Sequence, residues 1–178
     1  MTKDELYNLL ISGQNVPILA NFFVDHPDQI EQIIDLALYD TRRGTWQAMW
    51  IADKIHERRP AFINCYFDRM VEATKILKDN SKLRHLLKII SLNDIPEKHL
   101  PYLLDYSIEQ LTNAEHPVAI RVHAMQILYQ ISEQELGFKP ELIEIIEHEM
   151  EYHATGGIKA RGKRLMKRLR NSLQNGNN

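Results

Sequence analysis

The chain has 178 residues, 44% of them hydrophobic and 26% charged, which suits one domain with a sizeable core and is short for two. Seven Gly and seven Pro are few for a turn-rich sandwich or barrel. The net charge of -2 hides an asymmetry: beyond Thr155 there are seven Lys or Arg and no acid, against 15 basic and 24 acidic residues before it.

In chain order, residues 4–12 read as a short helix with Leu6, Leu9 and Leu10 apolar and Gly13 as its stop. Residues 16–24 follow, with Pro17 in a first turn and Leu19, Phe22 and Phe23 inward. Residues 28–39 carry a stripe of Ile30, Ile33, Ile34, Ala37 and Leu38, with Asp28 as the expected cap. A helix over 44–59 ends at Pro60, and 62–77 is its expected partner, with Phe62, Tyr66, Met70 and Ala73 on one side. Asn80 or Ser81 is the expected cap of a helix to about Leu92, and Pro96 and Pro101 flank the start of the next. Residues 117–132 present Ile120, Ala124, Ile127, Leu128 and Ile131 at helical spacing. Residues 141–152 form an acidic helix, Gly156-Gly157 a turn, 158–173 a basic helix, and 174–178 a polar tail expected to be disordered.

One apolar triplet recurs. Ala48, Ala52 and Ile55 precede Leu83, Leu87 and Ile90 by 35 residues; those precede Ile120, Ala124 and Ile127 by 37, and those precede Ile158, Gly162 and Leu165 by 38. A period in the high thirties marks stacked helix pairs, in which neighbours bury what one pair cannot. Pro60, Pro96 and Pro140 fall between the paired helices. The expected fold is all-α, an α-α superhelix of about nine or ten helices over residues 1–173, with 1–40 as a candidate N-terminal cap and repeats over 44–171.

These triplets, the prolines, and the series Met49, Arg84, Arg121, Lys159 just after the first triplet position make the chain resemble the HEAT and armadillo-like repeats. In that family an Arg at this position pairs with a nearby acid. The resemblance implies a non-enzymatic scaffold that binds another protein through a curved surface, with no cofactor. A second implied reading is nucleic-acid binding, related to the HEAT-like alkylpurine DNA glycosylases, which use aromatic residues with an acid near a basic surface.

Trp46 and Trp50 lie four residues apart on one helical face, which Asp53 and Glu57 continue. The repeat register places Ser81, Val118 and Gly156 where Trp46 stands, and His85, Val122 and Ala160 where Trp50 stands. The fold itself therefore does not call for tryptophan there. With Arg42 and Arg43 these residues form a candidate binding face, set against simple packing on residues 28–39. The basic helix offers a second surface, Lys159, Lys163, Arg164, Lys167 and Arg168, suited to phosphates. The alternative is neutralisation by the acidic helix before it, as in a terminal cap.

Histidines 148 and 153 in HEMEYH are five apart, which on a continuous helix turns them away from each other and speaks against a metal site. Pairing of His148 with Glu144 and of His153 with Glu149 is expected instead. Cys65 is the sole cysteine, expected to be a buried small residue. With no apolar leader near the start and no run of about 18 apolar residues, a cytoplasmic location is expected and membrane association is not. Nucleophile signatures, Gly-rich phosphate loops and paired-cysteine zinc motifs are absent from the sequence.

Overall fold

The computed structural model describes residues 2–13 and 15–175, and its regular structure is entirely helical. Among the described residues, no helix is long and apolar enough to cross a membrane. Two compact units divide the chain, residues 1–93 and 94–178.

In the first unit, α1 (Lys3–Ile11) starts on a capping box. The Glu5 amide donates to Thr2 Oγ1 at 3.2 Å and the Thr2 amide to Glu5 Oε2 at 2.7 Å, so two otherwise orphaned donors are satisfied. Next come α2 (Val16–Asp25), with Pro17 in its first turn, and α3 (Ile30–Tyr39). A 3-10 turn over Pro27–Gln29 precedes α3, and Asp28 makes no side-chain cap.

Gly44 turns the chain at φ +88° into α4 (Trp46–Arg58), a backbone region costly for a residue with a Cβ. The expected partner helix over 62–77 is broken into α5 (Pro60–Asn64) and α6 (Phe67–Thr74). The break passes through Tyr66 at φ -98°, ψ 10° without Gly or Pro, so no residue type announced it. It also leaves Cys65 exposed, contrary to the sequence expectation.

The unit closes with α7 (Asn80–Ser91). Its cap is Asp79 rather than Asn80 or Ser81: Asp79 Oδ1 accepts from the Ser81 and Lys82 amides at 2.7 and 3.2 Å. Helix α4 packs against α2, α3 and α7. Both triplets here, Ala48, Ala52 and Ile55 with Leu83, Leu87 and Ile90, are buried.

Lys82 is buried as well. Its ammonium donates to the carbonyls of Leu36 at 3.2 Å and Asp40 at 2.5 Å, at the end of α3. Cations suit that position because the last carbonyls of a helix lack partners and carry its negative pole. Burial pulls the Lys82 pKa below its ordinary value, against the opposing charges of Asp79 and Asp40.

The second unit holds α8 (Leu100–Thr112), α9 (Val118–Gln134), α10 (Lys139–Tyr152) and α11 (Gly156–Asn175). Helix α9 packs on α8, α10 and α11. Leu111, Ala124, Leu128, Leu142, Ile146, Ile158, Leu165 and Leu169 form one cluster. Gly162 has a packing reason: a Cβ there would collide with the Met150 side chain and lie 3.2 Å from Ile146 Cγ2, so its absence lets α11 approach α10. Thr155 Oγ1 accepts the Ile158 amide at 3.3 Å at the start of α11. Gln174 and Asn175, expected in a disordered tail, are the last residues of this helix; the rest of that expectation, residues 176–178, lies outside the described residues.

Candidate functional site

Helices α4 and α7 together carry the aromatic face. Trp46 and Trp50 are one helical turn apart, with ring centroids 5.9 Å apart and planes 12° from parallel. His85, contributed by α7, continues the stack 6.2 Å from Trp50 at 18°. Both indoles are half-buried, and the His85 side chain is 12% exposed. The stack is therefore neither core nor fully solvated, and it offers flat apolar surface at the rim of a helix pair.

Beneath it lies Asp53, 1% exposed. His85 Nδ1 sits 2.9 Å from Asp53 Oδ2, and Lys88 Nζ lies 2.8 Å from Oδ1 and 3.0 Å from Oδ2, donating to the latter. Lys88 also reaches Glu57 Oε1 at 2.6 Å, and Lys54 reaches Glu57 Oε2 at 2.7 Å. Burial pushes the Asp53 carboxyl up, but the hydrogen bonds from His85 and Lys88 outweigh it and hold the group below the usual Asp value. Bonds from Lys54 and Lys88 lower Glu57 in the same way. The network ties α4 to α7.

Two expected members of this face work elsewhere. The Arg42 guanidinium donates to Asp40 Oδ2 at 2.6 Å and to Asp4 Oδ1 at 2.9 Å, and covers the Tyr7 ring at 3.9 Å. Arg43 is exposed, and its carbonyl accepts the Tyr7 hydroxyl at 3.2 Å. Both fasten α1 to the turn before α4. His85 and Lys88 are the residues that sequence reading missed, although the repeat register makes His85 the equivalent of Trp50 in the next repeat.

On α11, Lys159, Lys163, Arg164, Lys167 and Arg168 are exposed. Neutralisation by α10 is confined to one pair, Arg170 with Glu147 at 2.5 Å. Among the described residues, the other six cations of this helix have no acid within 4.0 Å. Arg161 is half-buried, and Nη1 donates to the neutral Gln126 Oε1 at 2.8 Å. Desolvation and then the Arg164 charge lower its pKa. Lys163, Lys167 and Arg170 rim a depression of about 440 Å³ that Met150 and Met166 line.

Glu149 of α10 meets His153, as expected, and also turns to α9. Arg121 Nη2 lies 2.6 Å from Glu149 Oε2, both residues are at least 98% buried, and Arg121 Nε donates to the Leu111 carbonyl at 2.9 Å. This is the Arg–acid pair that the repeat resemblance implied. The two histidines do not diverge as expected. His148 Nδ1 is 3.2 Å from Glu149 Oε1, His153 Nδ1 is 3.0 Å from Oε2, and the rings lie 5.7 Å apart. The expected His148–Glu144 pair is replaced accordingly. Helix α10 ends at Tyr152, and His153 at φ -127°, ψ 37° leaves the helical path, so its ring folds back over Glu149.

No curated protein and no solved structure matches the chain. A family model described as HEAT repeat domain matches residues 3–169, a span that takes in α1 and α2 as well as the repeats carrying the apolar triplets. The chain belongs to the HEAT repeat domain family.

Proposed function

We propose that this HEAT repeat chain is a non-enzymatic scaffold that recognises another protein through the face carrying Trp46, Trp50 and His85. The observation that carries this reading is the three-ring stack held half-open over a buried carboxylate. Rigid aromatic side chains in such a setting contribute most of the energy at protein interfaces, because they bury large area with little loss of rotamer freedom. Asp53 serves the face as an anchor, since His85 and Lys88 already occupy it; base excision of the glycosylase kind would need that carboxylate free. The test is affinity capture with the wild type and Trp46→Ser/Trp50→Ser, followed by a titration with the purified captured protein. Loss of at least about 2 kcal/mol of binding in the variant is expected, with unchanged helicity. Equal binding by both proteins refutes the reading.

A second reading rests on a separate observation, the six cations of α11 that meet no acid among the described residues. Such a face supports binding to the phosphates of a nucleic acid, where released counterions drive association. Binding of DNA or RNA that weakens steeply between low and moderate salt, and is lost in Lys163→Gln/Arg164→Gln/Lys167→Gln/Arg168→Gln, is the expected result. Binding that ignores salt, or no binding, removes this reading.

A further inference from the structure

We propose that His148, Glu149 and His153 form a binding site for a zinc-like divalent transition ion at the end of α10, independent of both surfaces above. One donor atom from each residue lies within 4.8 Å of the other two. The donor set, two imidazoles and a carboxylate, belongs to borderline ions such as Zn²⁺ rather than to Mg²⁺ or Ca²⁺, which prefer oxygen ligands. Ligand bonds of about 2.0–2.1 Å put neighbouring donors on a tetrahedral ion roughly 3.3 Å apart. Each imidazole already meets one oxygen of the carboxylate at about that spacing, His148 Nδ1 at 3.2 Å from Oε1 and His153 Nδ1 at 3.0 Å from Oε2. The remaining closure falls to two solvent-facing imidazoles, whose side chains are 57% and 37% exposed, while the carboxylate stays fixed at 1%.

Arg121 fixes it. Its guanidinium bonds Oε2 at 2.6 Å and leaves Oε1 open toward His148, so it orients the ligand as outer-shell partners of metal sites do. The same positive charge lowers affinity, which makes this a weak site filled by a modest ligand count, with water completing the coordination. Bound there, an ion bridges the last turn of α10 to His153, the first residue beyond it, and fastens the connection to α11.

The test is titration of the full chain with ZnCl₂ by calorimetry, paired with thermal melts and run beside His148→Ala and His153→Ala. Both substitutions are at solvent-facing side chains, so the variants keep the fold. Saturable one-to-one binding is expected, weakened about tenfold or more in each variant, with a zinc-dependent rise in melting temperature that both variants lose. Saturable binding that both variants retain places the ion elsewhere and overturns the proposal. So does the lack of saturable binding in the wild type.

Discussion

Replacing Arg121 by Met isolates the pair on which the second unit turns. The substitution keeps most of the side-chain volume but leaves the Glu149 carboxylate, 1% exposed, without its guanidinium. Removing one partner of a buried pair costs about 3–5 kcal/mol, because the remaining charge has been taken out of water. His148 and His153 still reach that carboxylate, which favours the lower end, about 3 kcal/mol. The Leu111 carbonyl loses its 2.9 Å bond as well, and that loss persists when Glu149 is changed too. The double variant Arg121→Met/Glu149→Leu removes both charges, and it is expected to be less than about 2 kcal/mol below wild type. Urea unfolding followed by circular dichroism on wild type, both single variants and the double gives the coupling directly. A cost under about 1 kcal/mol for Arg121→Met, in the range of exposed ion pairs, would refute the claim that this contact is desolvated. Strict additivity of the two single substitutions would refute the pairing itself.

Asp53→Asn tests the first unit by pH. The Asp53 pKa is depressed in the folded chain, so its stabilisation is present above the ordinary value of about 3.9 and is lost as pH falls through the lower folded value. The variant is therefore less stable than wild type at pH 7, and the gap narrows below about pH 4 in acid unfolding curves; a gap that holds constant with pH counts against the assignment. Lys82→Met strands the carbonyls of Leu36 and Asp40 and is expected to cost about 1–3 kcal/mol in urea unfolding, whereas a neutral outcome means that water replaces the ammonium. Gly44→Ala forces a Cβ onto φ +88° at 3.3 Å from Ile11 Cγ2, so destabilisation of about 1–3 kcal/mol and a lower melting temperature are expected.

The apolar triplets were legible in the sequence because stacking imposes burial at every repeat: Ala48, Leu83, Ile120 and Ile158 are all buried. The charged position beside them obeys no such demand. It is filled by buried Met49, by exposed Arg84 bonded to its neighbour His85, by Arg121, and by exposed Lys159. Only Arg121 meets an acid in that series, because only α10 brings Glu149 within reach of it. An ion pair needs two elements in phase, and repeat spacing specifies the phase of one.

The candidate sites show that limit and a second one. Spacing put Trp46, Trp50 and Asp53 on one face because they share one helix, and could not reach Lys88 because it belongs to another. The spacing of five between His148 and His153 argued for divergence only on the premise that the helix continues through both. It stops at Tyr152, and one non-helical residue is enough to reverse the conclusion. Helix ends are where periodicity arguments fail, since the side chain just past the last turn is aimed by its own φ and ψ rather than by the 100° step. In this chain that exception brings two imidazoles onto one buried carboxylate, although the HEMEYH spacing alone spoke against it.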